Sequence, residues 1–99
     1  MSRWYILDNN NKPVAKPVVE AAQWLEDNDH RRIVKRDEIG DILVSTVFLG
    51  LDHAWDSDTP VLWETMIFGG EHNQYQERYT SHKDALEGHE LALTLITKK

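Results

Sequence analysis

Val61-Leu62-Trp63-Glu64-Thr65-Met66-Ile67-Phe68, then Gly69-Gly70-Glu71-His72-Asn73, then Gln74-Tyr75-Gln76-Glu77-Arg78-Tyr79-Thr80, is the stretch that decides the fold. Two runs rich in β-branched and aromatic residues flank a glycine-bearing turn, which is the pattern of a β-hairpin. Closing that turn regularly sets Phe68 opposite Gln74, Met66 opposite Gln76 and Glu64 opposite Arg78 on one face. The other face pairs Ile67 with Tyr75, Thr65 with Glu77 and Trp63 with Tyr79. An acid meets a base and an aromatic meets an aromatic, and each such pair adds a few tenths to about 1 kcal/mol. A slip by one residue would mix the faces, so the pattern itself selects the register.

Upstream, Ile42 to Leu49 reads as the strongest strand, and Glu38-Ile39-Gly40-Asp41 as a tight turn leading back to a strand over Arg31 to Arg36. Trp4 to Leu7 reads as a short first strand ended by Asp8-Asn9-Asn10-Asn11, with a proline-bearing loop from Lys12 to Pro17. From Pro17 the spacing turns helical: Val18, Ala21, Ala22 and Leu25 share a face, and Asn28-Asp29 is the expected stop. Ser81-His82-Lys83-Asp84 has the form of a capping box with Asp in the last position. It opens a helix to about Ile96, with Ala85, Leu86, His89, Ala92, Leu93 and Ile96 as its apolar stripe. The expectation is a single α+β domain over residues 1–99, in the order β-α-β-β-β-β-α. About four strands form an antiparallel meander packed with two helices, and a fifth, N-terminal strand is left open.

Both faces of that meander carry apolar side chains. Val44, Phe48, Trp63, Ile67, Tyr75 and Tyr79 lie on one, and Leu43, Val47, Leu62, Met66 and Phe68 on the other. A solvated antiparallel sheet alternates apolar with polar, so each face calls for a cover. The helices take one face each, or both take the same face and leave the other to a partner. A homodimer through the uncovered face is one expectation.

The chain has 99 residues, 40% hydrophobic and 28% charged, with no cysteine and a net charge of −6. Disulfides and thiolate chemistry are excluded, and a cytoplasmic location is the simplest expectation. No apolar run reaches the roughly 18 residues of a membrane span, and Met1 to Trp4 does not open a signal peptide. The negative charge argues against binding nucleic-acid backbones. Acidic groups otherwise favour solubility, or imitate phosphates toward a nucleic-acid-binding partner.

The candidate site residues are Glu64, Arg78, Asp52, His53, Trp55, His89, Trp63 and Tyr79. Glu64 stands among apolar neighbours and needs a partner, which Arg78 supplies as a salt bridge. Asp52, His53, Asp56 and Asp58 crowd one loop, but their spacing fits no established metal motif, and a solvated acidic loop explains them. Trp55 in that loop is an anchor of the kind partners bury. His89 on an apolar stripe reads as a hydrogen-bonded core histidine, or as a group meeting His53 or Glu64 across the sheet. No nucleophile elbow, phosphate-binding glycine loop, catalytic residue or cofactor motif is present.

Val44-Ser45-Thr46-Val47-Phe48-Leu49-Gly50-Leu51-Asp52-His53, Glu64-Thr65-Met66-Ile67-Phe68, Glu77-Arg78-Tyr79 and Ala85-Leu86-Glu87-Gly88-His89 together resemble small uncharacterised proteins encoded by bacteriophages and prophages. The resemblance spans roughly residues 42–92. It implies an origin, not a mechanism: a bacterial host cytoplasm and an accessory role such as interference with host defence.

Three classes of function follow. The first is a small acidic, non-enzymatic protein that binds a host or phage macromolecule, a counter-defence inhibitor included; four tryptophans in so short a chain favour it. The second is a small-molecule or nucleotide binder with its site on the sheet face or a dimer seam, where Arg78 or Arg32 holds a phosphate. The third is a metal-dependent hydrolase built from Asp52, His53, Glu64 and His89.

Overall fold

The hairpin forms in the expected register. A computed structural model, which describes residues 3–54 and 58–97, pairs Trp63 with Tyr79, Glu64 with Arg78, Thr65 with Glu77 and Met66 with Gln76. The chain runs β1 (Trp4–Leu7), β2 (Pro13–Lys16), α1 (Val18–Asp27), α2 (Asp29–Arg32), β3 (Ile33–Ile39), β4 (Ile42–Phe48), β5 (Trp63–Phe68), β6 (Gln76–Tyr79) and α3 (His82–Thr97). Strands β3-β4-β5-β6 make the antiparallel meander, and β1-β2 make a separate two-stranded ribbon. No helix among the described residues is long and apolar enough to cross a membrane.

Two elements differ from the expectation. The proline-bearing loop contains β2, which tolerates Pro13 because it is the first residue of an edge strand. The stop at Asn28 is real, since its backbone N–H and its side chain both bond the Trp24 carbonyl. A single turn, α2, follows before the strand begins, which moves β3 to Ile33 and carries it to Ile39. The β3–β4 turn is therefore only Gly40-Asp41, with Gly40 at φ 59°, a conformation glycine adopts without steric cost.

One sheet face is dry. Val44, Thr46, Phe48, Trp63, Thr65 and Ile67 are all fully buried. Ala85 packs with Phe48 and Trp63, and Ala92 with Val44 and Ile67, so this is the face α3 covers. Ser81 caps that helix, its Oγ accepting from the Asp84 N–H at 3.0 Å.

The α1 side of the molecule closes the end of the same core. Leu7, Tyr5, Trp24 and Leu25 join the Phe48 cluster, and the Trp24 ring stands edge-on to Phe48 at 6.2 Å. The apolar stripe of α1 is thus rotated from the expected one: Ala21, Trp24 and Leu25 face inward, and Val18 is 51% exposed. The Trp24 indole packs against the Phe48 cluster, and Val18 and Ala22 stay at the surface. Arg31 secures the corner, stacking over Trp24 at 5.4 Å and donating to the Asp8 carbonyl at 2.6 Å. Leu62 also corrects the expectation. It precedes the first residue of β5 and is buried with Leu7 and Phe48, not displayed on the second face.

Tyr79 lies under α3 because residue 88 is glycine. A Cβ at Gly88 would fall on the Tyr79 ring and hydroxyl. The hydroxyl is buried and makes no hydrogen bond of good geometry. Burial raises the phenol above its ordinary pKa, outweighing the opposing influence of the Thr65 hydroxyl. Gly88→Ala should therefore cost about 1–3 kcal/mol through overpacking, despite alanine's helix preference of about 1 kcal/mol. Tyr79→Phe alone should change stability by less than about 1 kcal/mol, and adding it to Gly88→Ala should recover part of the loss. Urea denaturation of the four proteins checks this cycle; strict additivity would show that the two groups do not meet.

Asp8 organises the β1–β2 turn. Its Oδ1 accepts from the N–H groups of Lys12 at 2.9 Å and Asn10 at 2.8 Å, and these bonds hold its carboxyl below the usual carboxylate value. The stabilisation is complete above the ordinary aspartate pKa and fades as pH falls through the lower folded value. Asp8→Asn should flatten the acid limb of the stability profile, and an unchanged limb would remove the turn from the account.

Candidate functional site

The polar groups of the dry face form one chain. His89, fully buried on α3, sets Nε2 at 2.7 Å from Asp37 Oδ2 and Nδ1 at 2.6 Å from Thr46 Oγ1. Thr46 Oγ1 in turn lies 2.5 Å from Thr65 Oγ1. A carboxylate only accepts, so Nε2 carries a proton toward Asp37. In the neutral ring Nδ1 then accepts, Thr46 donates to it, and Thr65 donates to Thr46. Asp37 brings the chain to the surface on β3, where Lys35 sits 4.0 Å from it and 2.7 Å from Glu90. The hydrogen bond to Glu90 raises the Lys35 pKa.

Carboxylate, imidazole and hydroxyl occur here in the order used by hydrolytic triads. The hydroxyl, however, belongs to a threonine with no exposed surface, beneath α3 and inside the sheet. A cleft among the described residues lies elsewhere, lined by Arg3, Trp4, Ala15, Lys16, Pro17, Val18 and Leu51. With Thr46, Thr65 and His89 all fully buried, the chain ties α3 to the sheet as a structural clamp. Asp37, Thr46 and Thr65 are not among the candidate residues drawn from the sequence. Strand alternation offered a signal, because Thr46 and Thr65 interrupt the inward rows Val44–Phe48 and Trp63–Ile67.

Glu64 faces the other way. Its side chain is 12% exposed and accepts from Arg78 Nε at 2.9 Å and from Gln76 Nε2. The sheet therefore separates Glu64 from His89, and the two do not converge. Asp52 is a loop clamp, its Oδ1 accepting from the N–H groups of Ala54 at 2.8 Å and Val61 at 2.9 Å. His53 is half-buried, and its backbone N–H bonds the Val61 carbonyl. The hydrolase constellation of Asp52, His53, Glu64 and His89 is not assembled, and no group of three or more potential metal ligands occurs among the described residues. Trp63 is fully buried against Phe48 at 5.4 Å, and Tyr79 lies under Gly88, so both serve the core and not a partner surface. Trp55 and Asp56 lie outside the described residues. Arg32 is turned toward the Phe48 carbonyl and Asp29.

The second face is left uncovered by both long helices among the described elements. The registers lay it out in rows across β3 to β6: Glu38, Leu43 and Phe68; Arg36, Ser45, Met66 and Gln76; Ile33, Val47, Glu64 and Arg78. The apolar residues form a diagonal stripe whose ends are Ile33, 41% exposed, and Phe68, 43% exposed. Charged and amide side chains stand at both margins. No protein family, no curated protein and no solved structure matches this chain.

The direction of the buried hydrogen bonds ranks the variants. His89→Ala, which strands Asp37 and Thr46 and opens a cavity, should cost about 2–5 kcal/mol. Thr46→Val leaves Nδ1 without its donor and should cost about 1–3 kcal/mol. Thr65→Val removes only a donor to Thr46 and should cost less than about 1 kcal/mol. Urea denaturation checks the order, and a Thr65 variant as damaging as the Thr46 variant would reverse the assigned direction.

Proposed function

We propose that this is a small acidic, non-enzymatic binding protein whose open sheet face docks a partner protein. The observation that carries the reading is the one-sided packing: α1 and α3 both serve the Val44–Trp63 side and leave the stripe from Ile33 to Phe68 without a helix over it, exposed at both ends and half-buried at Val47 and Met66. An apolar centre with a polar rim is the anatomy of a protein–protein interface. Charges of both signs on the rim, Arg36 and Glu38 at one margin and Glu64 with Arg78 at the other, favour a protein surface over a polyanion. The net charge of −6 points the same way. Residues 42–92, which carry the phage-like pattern, supply most of this face. That likeness supports a partner in the bacterial cytoplasm, a host defence protein among the candidates.

Immobilised protein should retain a discrete protein from bacterial lysate at stoichiometric yield. Phe68→Glu combined with Met66→Glu should abolish the capture, and Leu91→Glu on the outer side of α3 should leave it intact. Equal capture by all three proteins, or none by the wild type, would overturn the reading. A wild-type dimer dissolved by Phe68→Glu in light scattering would assign the face to a second copy instead.

A further inference from the structure

The cleft at the β1–β2–α1 corner has a volume of about 640 Å³ and is lined by Arg3, Trp4, Ala15, Lys16, Pro17, Val18 and Leu51. We infer that this cleft binds a small organic anion, its carboxylate or phosphate head between Arg3 and Lys16 and its apolar body on Trp4, Val18 and Leu51.

Size sets the ligand class first. Clefts of roughly 300–1,000 Å³ take ligands of drug or nucleotide size, and are lined mainly by apolar groups with a few placed polar ones. This lining fits that description, with two cations among apolar side chains and backbone. The Arg3 guanidinium gives one N–H to the Asp52 carbonyl at 3.0 Å, a neutral acceptor, and forms no salt bridge among the described residues. Lys16, on the same lining, stands 4.0 Å from Glu20.

The backbone adds to the same field. α1 begins at Val18, which lines the cleft, with no side-chain cap, and its first intrahelical bond runs from the Ala21 N–H to the Pro17 carbonyl, so the helix start adds partial positive charge on that side. The exposed Val18, unusual at the start of a helix, gives the cleft an apolar wall beside that charge. The protein's overall acidity excludes a long polyanion and leaves a compact one, whose single head group meets only the local positive field. The cleft is built from residues separate from the open sheet face, so its failure and the failure of the docking reading are independent.

The test titrates the full ¹⁵N-labelled chain with phenyl phosphate, phenylacetate, inorganic phosphate and neutral phenethyl alcohol. Saturable shifts should appear at the Trp4 indole N–H and at the amides of Lys16, Val18 and Leu51 with one or both aromatic anions. The tighter of the two names the head group. Phenethyl alcohol should bind roughly tenfold more weakly or worse, because it lacks the charge. Val18→Glu places a carboxylate in the cleft at a position where an acid favours the helix, so the variant should fold and lose the anion by roughly tenfold or more. Lys16→Gln should weaken it in the same direction. Absence of saturable shifts with either aromatic anion, undiminished binding by Val18→Glu, or equal binding of phenethyl alcohol would each overturn the inference.

Discussion

His89 enters the core of this protein because both of its ring nitrogens are occupied there. A buried imidazole with one free nitrogen would carry the cost of an unpaired polar group, on the order of 1–3 kcal/mol. Asp37 on β3 takes one nitrogen, and Thr46 on β4, backed by Thr65 on β5, takes the other. Three strands and α3 are thereby tied at one point. The apolar contacts on either side, Ala85 with Trp63 and Ala92 with Ile67, hold the helix against the sheet without fixing its translation or rotation. Five polar atoms on four side chains, each with a partner in the chain, supply that fix.

Once α3 is pinned to that face, the rest of the chain follows. The corner made by β1, α1 and Arg31 closes the open end of the same core around Phe48 and Leu62. It does not wrap to the second face. The molecule therefore has one dry face and one wet face, and the two surfaces proposed for binding lie where the core's demands stop: the stripe from Ile33 to Phe68, and the cleft beside Arg3.

The meander was legible because its signals are local. The turn at Gly69 and the alternation on both sides of it fix the β5–β6 register within twenty residues, and Glu64 with Arg78 follows from that register. The clamp was not legible in the same way. Asp37, Thr46 and His89 are brought together by tertiary packing, with separations of 43 and 52 residues to the histidine. Periodicity places His89 on the inward stripe of α3 but says nothing of what meets it. The α1 face was misread because the apolar spacing of Val18, Ala21, Ala22 and Leu25 omits Trp24. Its direction follows contact with Phe48 on β4, a residue that no helical period contains, with Arg31 stacked over the ring.

The free edges of the meander narrow how the open face is used. β6 is four residues long and presents Gln76, Glu77 and Arg78; β3 carries Lys35, Arg36, Asp37 and Glu38 and has a register irregularity between Ile33 and Lys35. Short, charged or bulged edges discourage the addition of another strand. In the proposed docking, contact through the open face buries the apolar diagonal with the Glu64–Arg78 pair at its rim, while Lys35 and Glu90 lie on the side that α3 covers. Glu64, held by Arg78 and Gln76 beside that diagonal, presents a charge of fixed position, which in the proposed docking would select a partner by its complement while the apolar stripe supplied the affinity.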